Sequence, residues 1–328
     1  MRLACCLLIL TTSFLGATVP MPPGELPVKV KVSFFLVNLT GVDEKAETFE
    51  ADMYLLLQWK DERLKHDGQE ELFFAEDAAR EKIDEIWSPQ LEFVNTAKPE
   101  ITNENLTISP DGSVELAMGL TSKFRTDLDL RRFPFDRQRL AVRVTSFTYG
   151  TDKLVFVADQ EKLGFEPEST FEGLRVTRVT AEEGVESFTN WSEDFSEYRA
   201  LIDVERNTGF YLWTVFGPVV LIFLISCAVY LVPPEQIGER IGICLTALLA
   251  CIATQFALSF SLPQISYMTL IDRLFINTYG FVALNVLIIS AEMFLDKRNT
   301  RLRRSVNHTF GAAVPIAYLV SIAAALIL

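Results

Sequence analysis

Cysteine is missing from the whole stretch between residues 20 and 209. Cys5 and Cys6 precede it, and Cys227, Cys244 and Cys251 follow it. No disulfide can brace that stretch, so a packed core must hold it, and about 190 residues are enough to bury one. Histidine is nearly as scarce. His66 and His308 are the only two, and neither stands in a metal-ligand spacing or beside a nucleophile. The residues therefore call for no cofactor, no metal and no catalytic centre. Positive charge is in the minority: 30 Lys and Arg against 43 Asp and Glu leave a net charge of −13. Nucleic acid is a poor partner for such a surface. The acidity sits mainly between residues 20 and 209, where it favours cations over anions and also serves plain solubility.

What the chain does have is apolar, and it is unevenly spread. Hydrophobic residues are 49% of the 328 and charged residues 22%. Residues 20–209 alternate and carry most of the charge, whereas residues 210–328 are mostly long apolar runs. This shift marks the main domain boundary. At the front, Arg2 precedes the apolar run Leu7–Leu15, and Gly16 and Ala17 follow, which reads as a signal peptide over residues 1–17. That run is shorter than the roughly 20 residues a membrane span needs.

Strands account for residues 20–209. Val28, Val30, Val32 and Phe34 alternate with Lys29, Lys31 and Ser33, and Leu140, Val142 and Val144 alternate with Arg139, Ala141, Arg143 and Thr145. A period of two with one apolar face predicts half-buried strands of an antiparallel β-sandwich. Turns are expected at Pro110-Asp111-Gly112, Tyr149-Gly150 and Glu183-Gly184, and a short helix over Glu76–Ile86.

Four spans follow, at about 210–232, 241–262, 270–295 and 309–328. Lys297, Arg298, Arg301, Arg303 and Arg304 between the third and fourth place that link in the cytoplasm, which puts residues 20–209 and the C-terminus outside. The second span carries a stripe of Glu239, Gly242, Thr246, Leu249, Ala253, Phe256 and Phe260 on one helical face. Several copies around an axis would turn each stripe residue into a ring. A Glu239 ring would gather cations, and a Leu249 ring could close by dewetting. The same stripe also suits a helix-packing seam, and Glu239 and Arg240 also suit interfacial charges ahead of the span.

Three features carry a family resemblance. One is Arg131-Arg132-Phe133-Pro134-Phe135-Asp136-Arg137-Gln138; another is Val42-Asp43-Glu44-Lys45-Ala46-Glu47-Thr48-Phe49 followed by Gln58-Trp59-Lys60-Asp61. The third is the arrangement of four spans, with Pro218 in the first and Leu262-Pro263 closing the second. Together they resemble the pentameric ligand-gated ion channels, in particular the prokaryotic members. Thr126 and Leu140 stand where animal members pair two cysteines.

The resemblance implies a homopentamer in the cell (inner) membrane, contacting membrane lipid and conducting monovalent cations, opened by a small-molecule agonist between neighbouring sandwiches. Carried over position by position, it implies agonist contacts at Tyr54, Glu92, Asn95, Phe147, Tyr149, Phe188, Trp191 and Phe195. It implies a coupling set of Glu44, Asp136, Arg206 and Pro263. One position departs: Thr145 stands where amine-gated relatives place a carboxylate. A channel gated by pH, or a membrane-tethered sensor that does not conduct, are the alternatives.

Overall fold

Alternation in the sequence becomes alternation in burial. The computed structural model describes residues 19–167, 170–171, 173–188, 193–259, 265–292 and 300–327. The expected signal peptide, Trp191, Phe260, Pro263, Lys297 and Arg298 lie outside the described residues. In β1 (Val28–Asp43), Val28, Val30, Val32 and Phe34 point inward while Lys29 and Lys31 stay in solvent. In β7 (Arg137–Gly150), Leu140, Val142 and Val144 are buried. These side chains meet across the sandwich in one apolar core.

The other strands are β2 (Thr48–Lys60), β3 (Leu72–Ala75), β4 (Glu92–Phe93), β5 (Glu100–Ile108), β6 (Ser113–Arg125) and β8 (Leu154–Ala158). They continue with β9 (Gly164–Phe165), β10 (Thr170–Phe171), β11 (Leu174–Ser187) and β12 (Asp194–Arg206). Among the described residues one sheet runs β3-β5-β6-β2-β1-β8 with β9 also on β1, and the other runs β10-β11-β12-β7-β4. Pairing is antiparallel except that β8 and β9 lie parallel to β1. The reason lies at Tyr149-Gly150. The chain does not fold back there as a hairpin but crosses from one sheet to the other, so β8 arrives beside β1 in the same direction.

The helix expected over residues 76–86 is α1 (Asp77–Glu85). At Pro110-Asp111-Gly112 the turn is real: Gly112 has φ +82°, and a Cβ there would come 2.6 Å from the Asp61 carbonyl oxygen. Glu183-Gly184 is not a turn. Both residues sit inside β11, and Gly184 answers a different need, because a Cβ would come 2.5 Å from the Arg199 guanidinium on the paired strand.

Among the described residues, four helices are long and apolar enough to cross a membrane: Gly209–Leu231, Ile237–Ser259, Leu270–Glu292 and Ser305–Ala325. The first contains a π-helical turn, Leu212–Phe216, just ahead of Pro218. Proline has no N–H to donate and its ring crowds the preceding turn, so the widened turn absorbs the misfit. The second helix starts four residues earlier than expected, which puts Glu239 and Arg240 inside it. The fourth helix starts at Thr300, so Arg301, Arg303 and Arg304 are helical, yet they still lie between the membrane-crossing stretches Leu270–Glu292 and Ser305–Ala325. Apolar character marks where a helix meets lipid, and good helix formers such as arginine carry it beyond that point.

Candidate functional site

The residues singled out in the sequence fall in three places: the junction between sandwich and helices, the β11–β12 end of the sandwich, and one face of the second span.

At the junction, Glu44 follows β1, Asp136 precedes β7, and Arg206 ends β12. Arg206 Nε and Nη2 donate to Asp136 Oδ1 and Oδ2 at 2.8 and 3.1 Å, and Nη1 donates to Glu44 Oε1 at 2.7 Å. The guanidinium thus holds one carboxylate with two bonds and a second with one. Its side chain is only 3% exposed, as against 2% for Asp136 and 22% for Glu44. Burial works against the charge, but the hydrogen bonds and attraction of Asp136, then of Glu44, outweigh it and raise the Arg206 pKa above its ordinary value. Gln138 Nε2 gives Asp136 Oδ2 a further bond at 2.6 Å. Phe133, which precedes a cis Pro134, lies 4.7 Å beneath the guanidinium.

The outer loop between the second and third spans meets this assembly. Tyr267 Oη donates to the Leu128 carbonyl at 3.2 Å and accepts from the Leu130 N–H at 3.1 Å. Arg131 lies over the Tyr267 ring, and its carbonyl accepts from the Leu270 N–H at 2.9 Å. The loop that carries Phe-Pro-Phe-Asp is therefore bonded both to the end of the sandwich and to the start of the third span.

At the β11–β12 end, Phe147 from β7 meets Phe188 at a tilt, 5.7 Å between ring centres, and Phe195 edge-on at 5.4 Å. Phe195 is buried, Phe147 half-buried and Phe188 exposed at 36%. Tyr149 turns to another cluster, 5.6 Å from Trp87, which in turn meets Trp59 edge-on. Tyr54 is exposed on the opposite sheet, away from this group. Asn95 presents no free amide: Nδ2 donates to the Arg125 and Ala141 carbonyls and Oδ1 accepts from the Arg143 N–H. Glu92 is exposed, in register with Thr145.

On the second span, Glu239, Gly242, Thr246, Leu249, Ala253 and Phe256 are all exposed, Leu249 at 67% and Phe256 at 63%. Arg240, Cys244, Ala247 and Cys251 form the buried side. The stripe thus faces away from the other helices of its own chain.

A family model for the neurotransmitter-gated ion-channel ligand binding domain matches residues 9–208. The chain belongs to this channel family. A proton-gated ion channel of Gloeobacter violaceus is 25% identical over 307 residues, covering 92% of this chain and 83% of the relative. The gamma-aminobutyric acid receptor subunit rho-1 of Mus musculus is 25% identical over 315 residues, 90% of this chain, and the human rho-3 subunit 24% over 303 residues. The chain spans 64% and 63% of those two receptor subunits.

Within this channel family fold, several polar contacts had no counterpart in the reading of the sequence. Tyr267 is one. Glu197 is another: buried on β12 and in register with Thr145, it binds Arg143 Nε at 2.5 Å and Arg199 at 3.1 Å, while Arg143 also reaches Glu186 at 2.7 Å. A carboxylate does stand beside the aromatic group, but on the neighbouring strand and already paired. Arg240 is the third. It is fully buried, not an interfacial charge, because carboxylate, amide and carbonyl partners from the other three spans surround it. For Glu197 a signal was available: Arg199, two residues along, lies on the same face of β12.

Proposed function

We propose that this chain is one subunit of a homopentameric, cation-selective channel of the cell (inner) membrane. The domain plan is a signal peptide over residues 1–17, an extracellular ligand-binding sandwich over 20–209 and a membrane domain over 210–328. A small agonist between neighbouring sandwiches, near Phe147 and Phe188 with Tyr54 of the next copy, opens a pore lined by the second spans. Glu44, Asp136, Arg206 and Pro263 carry the motion across the junction.

The observation that carries this reading is the exposed stripe of the second span. Thr246 and Leu249 would otherwise be buried against neighbours in their own bundle, and Glu239 would stand in lipid or headgroups without purpose. Around a shared axis the same face meets water, and Glu239 gathers cations at the inner mouth. Reversal potentials in asymmetric salt test it. Wild type should reverse on the cation side and Glu239→Gln closer to zero. A wild type that reverses on the anion side refutes cation selectivity.

Gating by protons is the second reading. It is favoured by the Gloeobacter relative, named a proton-gated channel, and by Thr145 standing where an amine-binding carboxylate is expected. Steps of pH applied to the outer side, beside a panel of amines and carboxylates, separate the two.

A further inference from the structure

The second span carries two opposite charges side by side at its inner end, and the fold treats them differently. Glu239 is exposed, whereas Arg240 has no exposed surface. Arg240 Nη1 donates to Glu292 Oε2 on the third span at 2.5 Å. Nη2 donates to Asn307 Oδ1 on the fourth at 2.7 Å, and Nε to the Val229 carbonyl on the first at 3.2 Å. Those acceptors are themselves held. Asn307 Nδ2 donates to the Tyr230 carbonyl at 2.9 Å, and the Tyr230 hydroxyl donates to Asn285 at 2.7 Å.

We infer that Glu292 sets ion selectivity by positioning: it pins Arg240 inside the helix bundle and so keeps a ring of positive charge from the ion path next to Glu239. The inference rests on the reading of the second span as pore-lining. Consecutive helical residues differ by about 100° and 1.5 Å of rise, so Arg240 flanks the stripe within a turn of Glu239. An arginine at a helix end extends toward water when nothing holds it. Charges at that spacing lie well inside the Debye length of about 8 Å, so a released guanidinium would oppose each glutamate almost unscreened. Glu292 is 1% exposed and supplies the one full negative charge among the three acceptors named for Arg240. Asn307 and the carbonyl orient the group but do not neutralise it.

The test compares reversal potentials of wild type, Glu292→Gln and the double variant Glu292→Gln/Arg240→Gln, at matched surface expression. Glutamine keeps the shape of Glu292 and removes its charge. The single variant should lower the cation-to-anion permeability ratio by about tenfold, within the range over which charged mouths concentrate ions. The double variant should return to the wild-type ratio or above it, because the released cation is gone. A clamp that only knits helices together predicts poor assembly of Glu292→Gln with an unchanged ratio in those channels that form. A wild-type ratio in Glu292→Gln overturns the inference. If that variant does not assemble, Glu292→Asp keeps the charge but draws the carboxylate back by one methylene, which loosens the ion pair itself; its ratio should fall below the wild-type value, and a wild-type ratio there overturns the inference equally. Each shift is read from the wild-type value, so an anion-selective wild type refutes the role given to Glu239 and leaves the direction of the Glu292 shift to be judged separately.

Discussion

Replacing Arg206 with alanine removes three charge-assisted hydrogen bonds at once, two to Asp136 and one to Glu44. The two carboxylates then fare differently. Glu44, 22% exposed, can turn to water, so losing its partner costs little. Asp136, 2% exposed, cannot; Gln138 alone would remain to it. An uncompensated buried charge of this kind costs about 3–5 kcal/mol. At about 2–4 °C per kcal/mol for a unit of this size, the sandwich of Arg206→Ala should melt about 6–20 °C lower. The assay is thermal melting of detergent-solubilised protein, followed by the loss of the oligomer peak. Adding Asp136→Asn should raise the melting point again, since it removes the stranded charge. A single variant that melts like wild type refutes the reasoning about burial. So does a double variant that melts no higher than the single one. Gating is read separately as current per surface channel, where Arg206→Ala should open poorly. Wild-type opening in assembled Arg206→Ala channels refutes coupling through this residue, even if the melting point falls.

Three shorter predictions accompany it. Glu239→Gln should move the reversal potential toward zero, and an unmoved value removes Glu239 from the inner mouth. Leu249→Ser should pass more agonist-free current than wild type, or lower the agonist midpoint by about tenfold; that is about 1.4 kcal/mol, within reach of losing one leucine's apolar burial in the closed pore. Phe256→Ser is measured beside it, and a leak confined to Phe256→Ser moves the gate to the outer ring. Phe147→Ala and Phe188→Ala should raise the midpoint of a cationic agonist by about 2- to 30-fold, the range of a cation–π contact of about 0.5–2 kcal/mol; midpoints unchanged in both, at normal maximal current, place the agonist elsewhere.

Much of the fold was legible because it rests on local periodicity. The alternation in β1 and β7 predicted which side chains would be buried, and the long apolar runs predicted four membrane helices. The errors came where one residue type serves two ends. Gly184 reads as a turn because glycine ends strands, but here it makes room for Arg199 across the ladder. Arg301, Arg303 and Arg304 do precede the fourth membrane-crossing stretch, but the helix runs through them, because charge ends an apolar run without ending a helix.

By itself, the sequence determined the two-part plan, the strand faces, the four spans and the stripe of the second, since each repeats within a few neighbouring residues. The meeting of Glu44, Asp136 and Arg206 was legible only through resemblance, because nothing local links residues 162 apart. Tertiary structure alone decided the rest: Tyr267 bound to a loop 137 residues away, Glu197 paired with Arg143 across 54, and Arg240 closed in by Glu292 across 52. A charged side chain carries the same letter whether it meets water or a partner. Only the packing of distant segments shows which, and that choice sets whether the charge is a solvated surface group or a buried, oriented part of the mechanism.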